Sequence, residues 1–304
     1  MASRIRVVHS DRYACDIGRH VFPTAKYRMI LERLLAAGWI AADDVVEPEM
    51  PAREALRLVH SADYLTDLEE LRWTPRTMYS ELPLSDAIID AYRLAAGGTL
   101  LAARAALDGA AAVHLGGGFH HAFADRAEGF CYVNDLAVAI RVLQREGAIA
   151  RAAVVDLDVH QGNGTARLFA GDDSVFTLSM HQERNYPSFK ERSDLDIGLD
   201  DGAGDGVYLE ALAGALERVW AFAPELVLYQ AGADPYVHDQ LGGLALTFEG
   251  LERRDRAVLE GCAARGVPAV VTLGGGYALD VEDTVHIHAT TARVAIEALR
   301  ALPE

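Results

Sequence analysis

Short apolar runs and longer amphipathic stretches alternate along the chain. The apolar runs have the length of strands, and all but the first are nearly continuous in apolar residues. Such continuity is typical of parallel strands that are covered on both faces of a sheet. The predicted strands occupy residues 5–9, 112–115, 152–156, 175–179, 226–230 and 269–273.

Amphipathic stretches with helical spacing lie between these runs, at 24–39, 134–147, 206–224 and 250–268. The second opens on Asn134, a favoured helix cap, and stops at Gly147. The alternation predicts one α/β domain over residues 1–304, a doubly wound, mainly parallel sheet flanked by helices. Two smaller domains are the alternative at this chain length.

Two segments interrupt the alternation. Residues 66–90 are rich in polar side chains and contain Pro75 and Pro83, so we expect an excursion on the surface. The acidic segment 193–206 lacks the spacing of acidic residues, glycine and distal Glu that a calcium-binding loop has. We expect a solvated, turn-rich loop there.

Polar clusters follow four of the predicted strands, after Leu115, Val155, Tyr229 and Leu273. In open parallel sheets, ligands bind beyond the carboxyl ends of the strands. Four loops from four strands should therefore converge on one site.

The stretch "VVDLDVHQGNGT" ends a buried strand in two carboxylates and an imidazole. Asp156, Asp158 and His160 alternate with apolar residues, so all three point to the same side. Burying unpaired carboxylates is costly, so the cluster needs a cation or hydrogen-bond donors. Asp158 and His160 are suitable zinc ligands. The alternative is a capped strand end whose acids accept backbone N–H bonds.

A third ligand is predicted in "YQAGADPY". Asp234 comes just after a buried strand, and Gly232 lets the backbone turn tightly before it. An isolated Asp-Pro pair is more often a turn signal, and the match to the first cluster favours the ligand role. Two Asp and one His leave the fourth zinc position open for water, as catalytic zinc sites require.

The stretch "HLGGGFHHAFADRAEGFCYVND" places two adjacent histidines after a glycine-rich turn. His120 and His121 can share acid and base chemistry, and we expect His121 to lie nearer the reacting water. Cys131 raises the alternative of a Cys–His hydrolase with a thiolate nucleophile. A cysteine between Phe130 and Tyr132 is more typical of a small buried hydrophobic residue.

Tyr277 follows three glycines at the end of the last predicted strand, in "VVTLGGGYALD". A phenol in that position could donate a hydrogen bond to an oxyanion. The alternative is an ordinary glycine-rich turn with a packed tyrosine.

Composition limits the classes of molecule that the protein is expected to bind. The net charge is -17, from 45 acidic against 28 basic residues, which disfavours nucleic acid and favours cationic ligands such as lysine side chains or polyamines. Solubility alone would also explain this charge. No apolar run approaches a membrane span, and no signal region precedes the first strand. Three widely spaced cysteines are no disulfide framework, and we expect a cytoplasmic protein.

Taken together, the motifs resemble those of the histone deacetylase family in the arginase–deacetylase superfamily. The resemblance covers nearly the whole chain, from about His9 to the C-terminal helix, and implies the arginase/deacetylase fold. The length, "HQGNG" and "DQLGGLALT" make the chain most similar to class IV. The motifs occur in the family's order: "GGGFHHA", "GFCYVND", "DLDVHQGNGT", "AGADP" and "LGGGY".

The resemblance implies a role for each matching residue. Asp158, His160 and Asp234 would hold Zn²⁺, or Fe²⁺ as in some family members. His121 would act as general base and then acid, His120 paired with Asp156 would tune it, and Tyr277 would polarise the scissile carbonyl. The tunnel for the acyl-lysine would be lined by Gly129, Phe130, Gly275 and an aromatic residue from the loop bearing Tyr186 and Phe189. A structural K⁺ near the zinc would use Asp156, Asp158, His160 and Ser179.

One position departs from class I. Asn163 stands where class I enzymes carry an Asp that faces the second histidine, whereas class II and IV members have Asn. An amide oxygen accepts the imidazole N–H without adding negative charge, so His121 should be less basic than beside Asp. Asn163→Asp is therefore expected to shift the pH–rate profile.

The resemblance implies hydrolysis of an N6-acyl-lysine amide in a protein or peptide, of acetyl or longer acyl groups. An acetylpolyamine amidohydrolase would use the same chemistry on a small cation. A ureohydrolase of the superfamily needs two metals, and "AGADP" lacks the extra Asp ligands. A catalytically inactive acyl-lysine binding protein is the alternative from another class. The sequence determines neither the physiological substrate nor the oligomeric state.

Overall fold

One parallel sheet forms the centre of the protein. The computed structural model describes residues 5–300, and the strands found there all pair in parallel. They are β1 (Ile5–Val8), β2 (Val45–Val46), β3 (Ala111–His114), β4 (Ala152–Asp156), β5 (Val175–Gln182), β6 (Leu195–Leu199), β7 (Leu226–Gln230) and β8 (Ala269–Thr272). Their order across the sheet is β2-β1-β3-β8-β7-β4-β5-β6. The order places β3, β8, β7 and β4 side by side at the centre.

Helices connect the strands. They are α1 (Lys26–Ala36), α2 (Arg53–Leu56), α3 (Ala62–Glu69), α4 (Asp86–Leu107), α5 (Asp135–Arg145), α6 (Asn163–Leu168), α7 (Asp205–Phe222), α8 (Phe248–Ala264) and α9 (Val281–Leu299). Asn134 caps α5, since its side chain accepts the N–H of Ala137, as its position in the sequence indicates.

Two hydrophobic cores cover the two faces of the sheet. Alternate strand residues such as Val113 and Val155 join α1, α7, α8 and α9 in one core. Their neighbours Ala112 and Val154 join α4 and α5 in the other. Because both faces are buried, the strands are apolar at nearly every position, and each buried Val stabilises the fold by about 1.5–3 kcal/mol. The predicted doubly wound α/β sheet is confirmed.

The predicted surface excursion at 66–90 is confirmed for residues 70–85, most of which are exposed, and is wrong at its two ends, which belong to helices. Helix α3 continues to Glu69 and α4 begins at Asp86, while Leu68 within α3 and Leu82 between the two helices are buried. Backbone carbonyls of the segment 76–80 accept hydrogen bonds from the N–H groups of residues 127, 129 and 130, so the segment packs beside the cavity described below. Proline and polar residues marked the turns correctly, whereas the two leucines anchor the segment in the core.

The acidic segment 193–206 is not wholly a loop. Its first half forms β6, the edge strand that pairs with β5 from Leu178 to Gln182. Alternate side chains of β6 are exposed, so this edge strand lacks the continuous apolar run that marks the central strands. The second half, 200–204, is a turn that leads into α7.

Within residues 5–300, no helix combines the length and apolarity that a membrane crossing demands. All three cysteines are free thiols, as the sequence indicated.

Candidate active site

The predicted site residues come together at the carboxyl ends of the four central strands. The loop after β3 carries the two histidines, and the loop after β4 carries Asp158 and His160. The loops after β7 and β8 carry Asp234 and Tyr277. Because these strands are adjacent in the sheet, residues more than 150 positions apart in sequence meet at one edge.

Asp158, His160 and Asp234 form a compact, fully buried cluster. One ligand atom from each lies within 4.8 Å of the others. The Nδ1 atom of His160 lies 3.1 Å from Oδ1 of Asp158 and 3.4 Å from Oδ2 of Asp234. Among residues 5–300, no hydrogen bond reaches Asp234 Oδ2. An orphaned carboxylate oxygen beside an imidazole nitrogen and a second carboxylate suits a divalent metal.

The charges of this cluster call for a cation. Burial alone would lower the pKa of His160, but the carboxylates of Asp158 and Asp234 outweigh it and raise that pKa to about 10. Burial and the charge of Asp158 raise the pKa of Asp234. Two carboxylates therefore share one site and hold a proton on His160, in the place where a metal ion would supply positive charge.

Backbone and amide donors fix the two carboxylates. Asp158 Oδ2 accepts hydrogen bonds from Gly275 N at 3.0 Å and Gln230 Nε2 at 3.2 Å, and Asp234 Oδ1 accepts one from Val159 N at 2.9 Å. A Cβ at Gly275 would collide with Asp234, and one at Gly232 would lie 2.6 Å from Asp158 Oδ2. The glycines leave the room in which the cluster is held.

His120 pairs with a carboxylate. Its Nδ1 lies 2.6 Å from Asp156 Oδ2, and its Nε2 lies 3.8 Å from Asp158 Oδ1. Burial lowers the pKa of His120, but the charges of Asp156 and Asp158 prevail and raise that pKa to about 9. His120 therefore carries a positive charge at neutral pH.

His121 pairs with an amide. Its Nδ1 lies 2.7 Å from Asn163 Oδ1, and its ring lies 4.0 Å from that of His120, measured between centroids. Burial lowers the pKa of His121 well below its ordinary value, and the nearby His120 and His160 lower it further. The imidazole of His121 is therefore neutral and available as a base.

Tyr277 lies between the glycine-rich loop and the cavity. Its backbone N–H donates to Asp239 Oδ2 at 2.7 Å, and its ring faces Phe130 at 5.9 Å between centroids. Burial raises the pKa of Tyr277 well above 10, and the charges of Asp158 and Asp234 raise it further. The phenol thus keeps its proton and can donate it in a hydrogen bond.

A cavity of about 220 Å³ opens onto these groups. Its walls include the predicted tunnel residues Gly129, Phe130, Tyr186 and Gly275, together with both histidines and Tyr277. Tyr186 supplies the aromatic wall of its loop, since its ring lies 5.0 Å from that of His121. Phe189, in contrast, is 91% exposed and does not line the cavity.

Cys131 also lines the cavity, but its chemistry does not favour the thiolate alternative. Its Sγ donates to the carbonyl of Gly129 at 3.2 Å, and burial raises the pKa of the thiol well above 9. A protonated, hydrogen-bonded thiol is a poor nucleophile.

Ser179, predicted to contribute to a K⁺ site, lies beside Asp156. The two residues are register partners on β5 and β4, and Ser179 Oγ lies 3.0 Å from His181 Nδ1.

Two of the charged residues at the site that the sequence did not reveal are Lys26 and Glu128. Lys26 is fully buried, donates to the Gly274 carbonyl at 2.7 Å, and has a pKa that burial lowers to about 8. Its position on the apolar face of α1, four residues before Ile30, was the available signal. The second is Glu128, whose Oε1 accepts a hydrogen bond from Asn163 Nδ2 at 2.6 Å. Nothing in the sequence links residues 128 and 163.

Known proteins are similar to this chain in sequence and in fold. An uncharacterised protein of Picosynechococcus is 44% identical over 291 residues, 95% of this chain and 97% of that protein. Histone deacetylase 2 of Arabidopsis thaliana is 31% identical over 292 residues, 90% of this chain and 75% of the relative.

Solved structures extend the likeness. A histone deacetylase homologue from Aquifex aeolicus has a TM-score of 0.84 at 27% identity, covering 97% of this chain and 84% of the other. An acetylpolyamine aminohydrolase from Burkholderia pseudomallei shares the fold, with a TM-score of 0.80 at 23% identity, covering 97% of this chain and 99% of that one. The model of the histone deacetylase domain matches residues 20–292. With these motifs, this sheet and this match, the chain belongs to the histone deacetylase family.

Proposed function

We propose that the protein is a zinc-dependent amidohydrolase that removes acyl groups from N6-acyl-lysine in proteins or peptides. The observation that carries the proposal is that one cavity is lined by a neutral histidine, a protonated tyrosine, and Asp158 and His160 of the three-residue candidate metal site. Each group would perform one task of amide hydrolysis.

Asp158, His160 and Asp234 would hold the metal, because they offer two oxygens and one nitrogen within reach of one another. When bound there, Zn²⁺ would act as a Lewis acid on the scissile carbonyl and lower the pKa of water to about 7. Fe²⁺ accepts the same ligand set. The identity of the ion and a K⁺ site at Asp156 and Ser179 remain predictions.

His121 would take the proton of the attacking water. Its Nδ1 is engaged by Asn163, which leaves the lone pair of Nε2 for the cavity. A neutral imidazole with a lowered pKa accepts this proton and can return it to the departing amine. His120, held positive by Asp156, would favour the negative charge that develops nearby.

Tyr277 would donate its hydrogen bond to the carbonyl oxygen as that oxygen becomes negative. The raised pKa of the phenol keeps the donor proton in place throughout the reaction. Asp239 fixes the backbone of Tyr277, and Lys26 holds the Gly274 carbonyl of the same loop. This support keeps the donor at the position where charge appears.

The cavity suits a flexible apolar stem that bears an amide. Phe130 and Tyr186 provide aromatic walls, and the exposed carboxylate of Glu81 lies at the mouth. No Lys or Arg lines this cavity within the described chain, and the net charge of -17 attracts cations. These features favour acyl-lysine, and they also favour an acylated polyamine as a second candidate substrate.

Class IV membership and reaction in the cytoplasm are further parts of the proposal. "HQGNG", Asn163 and the length support the first, and three unpaired cysteines support the second.

A substrate panel tests the proposal. Purified protein would be assayed on acetyl-, octanoyl- and myristoyl-lysine peptides and on acetylated polyamines, before and after chelation and with Zn²⁺ or Fe²⁺ returned. We expect turnover that chelation abolishes and metal restores. Asp234→Asn should be inactive, whereas the exposed Asp43→Asn should match the wild type.

Turnover of polyamines without turnover of lysine peptides would transfer the function to the second candidate. Folded, metal-loaded protein that binds acyl-lysine and hydrolyses no member of the panel would refute catalysis and favour a binding protein.

A further inference from the structure

Glu128 begins a tight turn at the wall of the cavity. The backbones of Glu128 and Cys131 exchange two hydrogen bonds, of 3.1 and 2.9 Å, across Gly129 and Phe130. Both central residues have positive φ, 51° and 63°. Gly129 is required here, because a Cβ would lie 2.6 Å from the ring of His121. The turn places Phe130 in the cavity wall and brings the side chain of Glu128 to Asn163.

The carboxylate of Glu128 has three donors. Asn163 Nδ2 donates to Oε1 at 2.6 Å, Tyr186 Oη donates to Oε1 at 3.3 Å, and Arg126 Nε donates to Oε2 at 3.3 Å. The side chain is 18% exposed. Asn163 provides the shortest of these contacts and the one that leads to the base.

The contact with Glu128 fixes the orientation of the side-chain amide of Asn163. A carboxylate only accepts hydrogen bonds, so the NH₂ group of Asn163 must face Glu128. Its Oδ1 then faces His121 at 2.7 Å, and Nδ1 of His121 must carry the hydrogen. The lone pair consequently lies on Nε2, the nitrogen that serves as base.

We propose that Glu128 is a positioning residue that sets the tautomer of His121 through Asn163. It acts on the reaction proposed above and therefore rests on that proposed function. A reversed amide would present NH₂ to His121 and place the lone pair on Nδ1, away from the substrate. Glu128 prevents this reversal, since its oxygen would then face the amide oxygen.

The arrangement also explains the Asn at position 163. An Asp there would put a second carboxylate at the 2.6 Å contact with Glu128. Two carboxylates in such contact do not both ionise, so the pair would have to bind a proton or separate. Asn163 and Glu128 thus form a matched donor and acceptor. Placing the carboxylate at position 163 and the amide at position 128 should again give one donor facing one acceptor.

The first experiment compares two substitutions of Glu128 by kinetics. Glu128→Gln keeps an acceptor for Asn163, whereas Glu128→Leu keeps the length and removes the acceptor. We expect Glu128→Leu to lower kcat roughly tenfold, the loss of one ordinary hydrogen bond, with KM nearly unchanged. Glu128→Gln should retain most of kcat. The exposed Glu210→Leu on α7 serves as a matched control.

The second experiment exchanges the pair and does not depend on removing the acceptor. Asn163→Asp alone should lower kcat. Adding Glu128→Gln to Asn163→Asp should raise kcat again by roughly tenfold, a size typical of the coupling between two residues of one hydrogen-bond network. In the double variant, the amide introduced at position 128 donates to the carboxylate introduced at position 163, which still accepts from His121. A double variant no more active than Asn163→Asp overturns the proposal.

The third experiment needs no turnover. Nuclear magnetic resonance of ¹⁵N-labelled histidines, with His121→Ala for assignment, reports which ring nitrogen of His121 bears hydrogen. We expect hydrogen on Nδ1 in the wild type and in Glu128→Gln, and a mixture in Glu128→Leu. An unchanged tautomer in Glu128→Leu overturns the proposal even where kcat falls. An inactive wild type with the expected tautomers would refute the proposed function and leave the role of Glu128 standing.

Discussion

The two adjacent histidines share a backbone turn and differ in their partners. His120 contacts the carboxylate of Asp156 at the end of a central strand, inside the sheet edge. His121 contacts the amide of Asn163 at the start of α6, and a carboxylate follows one residue further out, at Glu128. Both imidazoles are nearly inaccessible to solvent, with 3% and 5% exposed.

The partners give the two rings opposite character. Burial lowers the pKa of both, but only His120 has carboxylates close enough to reverse the effect and raise its pKa to about 9. In His121 burial prevails, helped by the positive charge of His120. Burial thus keeps His121 neutral and able to act as a base, whereas the carboxylate in direct contact with His120 keeps that ring protonated. The position of one negative charge separates the roles of two identical side chains.

Removing the side chain of His121 should reduce activity more than any other change to the histidine pair. We expect His121→Ala to lower kcat by roughly 10²–10⁴, the usual contribution of a general base. His120→Ala should cost less, because it removes a nearby charge and leaves the base. Steady-state kinetics on one acyl-lysine peptide compare the two, and equal losses would contradict the division of roles.

Tyr277→Phe tests whether the histidine pair works independently of the oxyanion contact. We expect kcat to fall roughly 10²–10³, as for the loss of one oxyanion donor. The pH at which activity falls on the acid side should not change, since the surroundings of His121 stay the same. Near-wild-type turnover would contradict the role assigned to Tyr277.

Asp156→Asn should remove the distinction between the two rings. Without the Asp156 carboxylate, Asp158 alone opposes the effect of burial, so the pKa of His120 should fall. We expect the alkaline limb of kcat/KM to move to lower pH, with activity falling roughly tenfold for each unit by which the assay pH exceeds the lowered pKa of His120. A pH profile with an unmoved alkaline limb would show that His120 does not depend on Asp156.

The smallest expected effect concerns the acid limb of the wild type. Since the pKa of His121 is lowered, its neutral form should persist as pH falls through 6.5, and activity should be lost only below that value. Asn163→Asp paired with Glu128→Gln moves the negative charge next to the ring and should shift the limb to higher pH. An unchanged limb would contradict the electrostatic role of Asn163.

The sequence predicted the sheet and the proximity of Asp158, His160 and Asp234 because each rests on local patterns. Strand β4 occupies the predicted residues, and its terminal D-x-D-x-H register places three side chains on one side. The rule that ligands bind beyond the carboxyl ends of parallel strands predicted that the four loops converge, and the observed adjacency of β3, β8, β7 and β4 brings them together.

Helix α4 shows where sequence patterns fail. It is not among the predicted helices, and it runs without interruption through Gly97 and Gly98. A Cβ at Gly97 would collide with the Glu49 carbonyl, and one at Gly98 would collide with His114. The glycines are required by close contacts between segments that are distant in sequence. The contact of Glu128 with Asn163 also joins distant segments. Spacing along the chain reports neither.

Metal content measured against activity tests the central claim most directly. Purified wild-type protein and Asp234→Asn would be analysed for bound metal by mass spectrometry, and both assayed on the preferred acyl-lysine peptide. The account predicts one divalent ion per wild-type chain, with loss of ion and activity together in Asp234→Asn and after chelation. Full activity in protein that carries no divalent metal would contradict it.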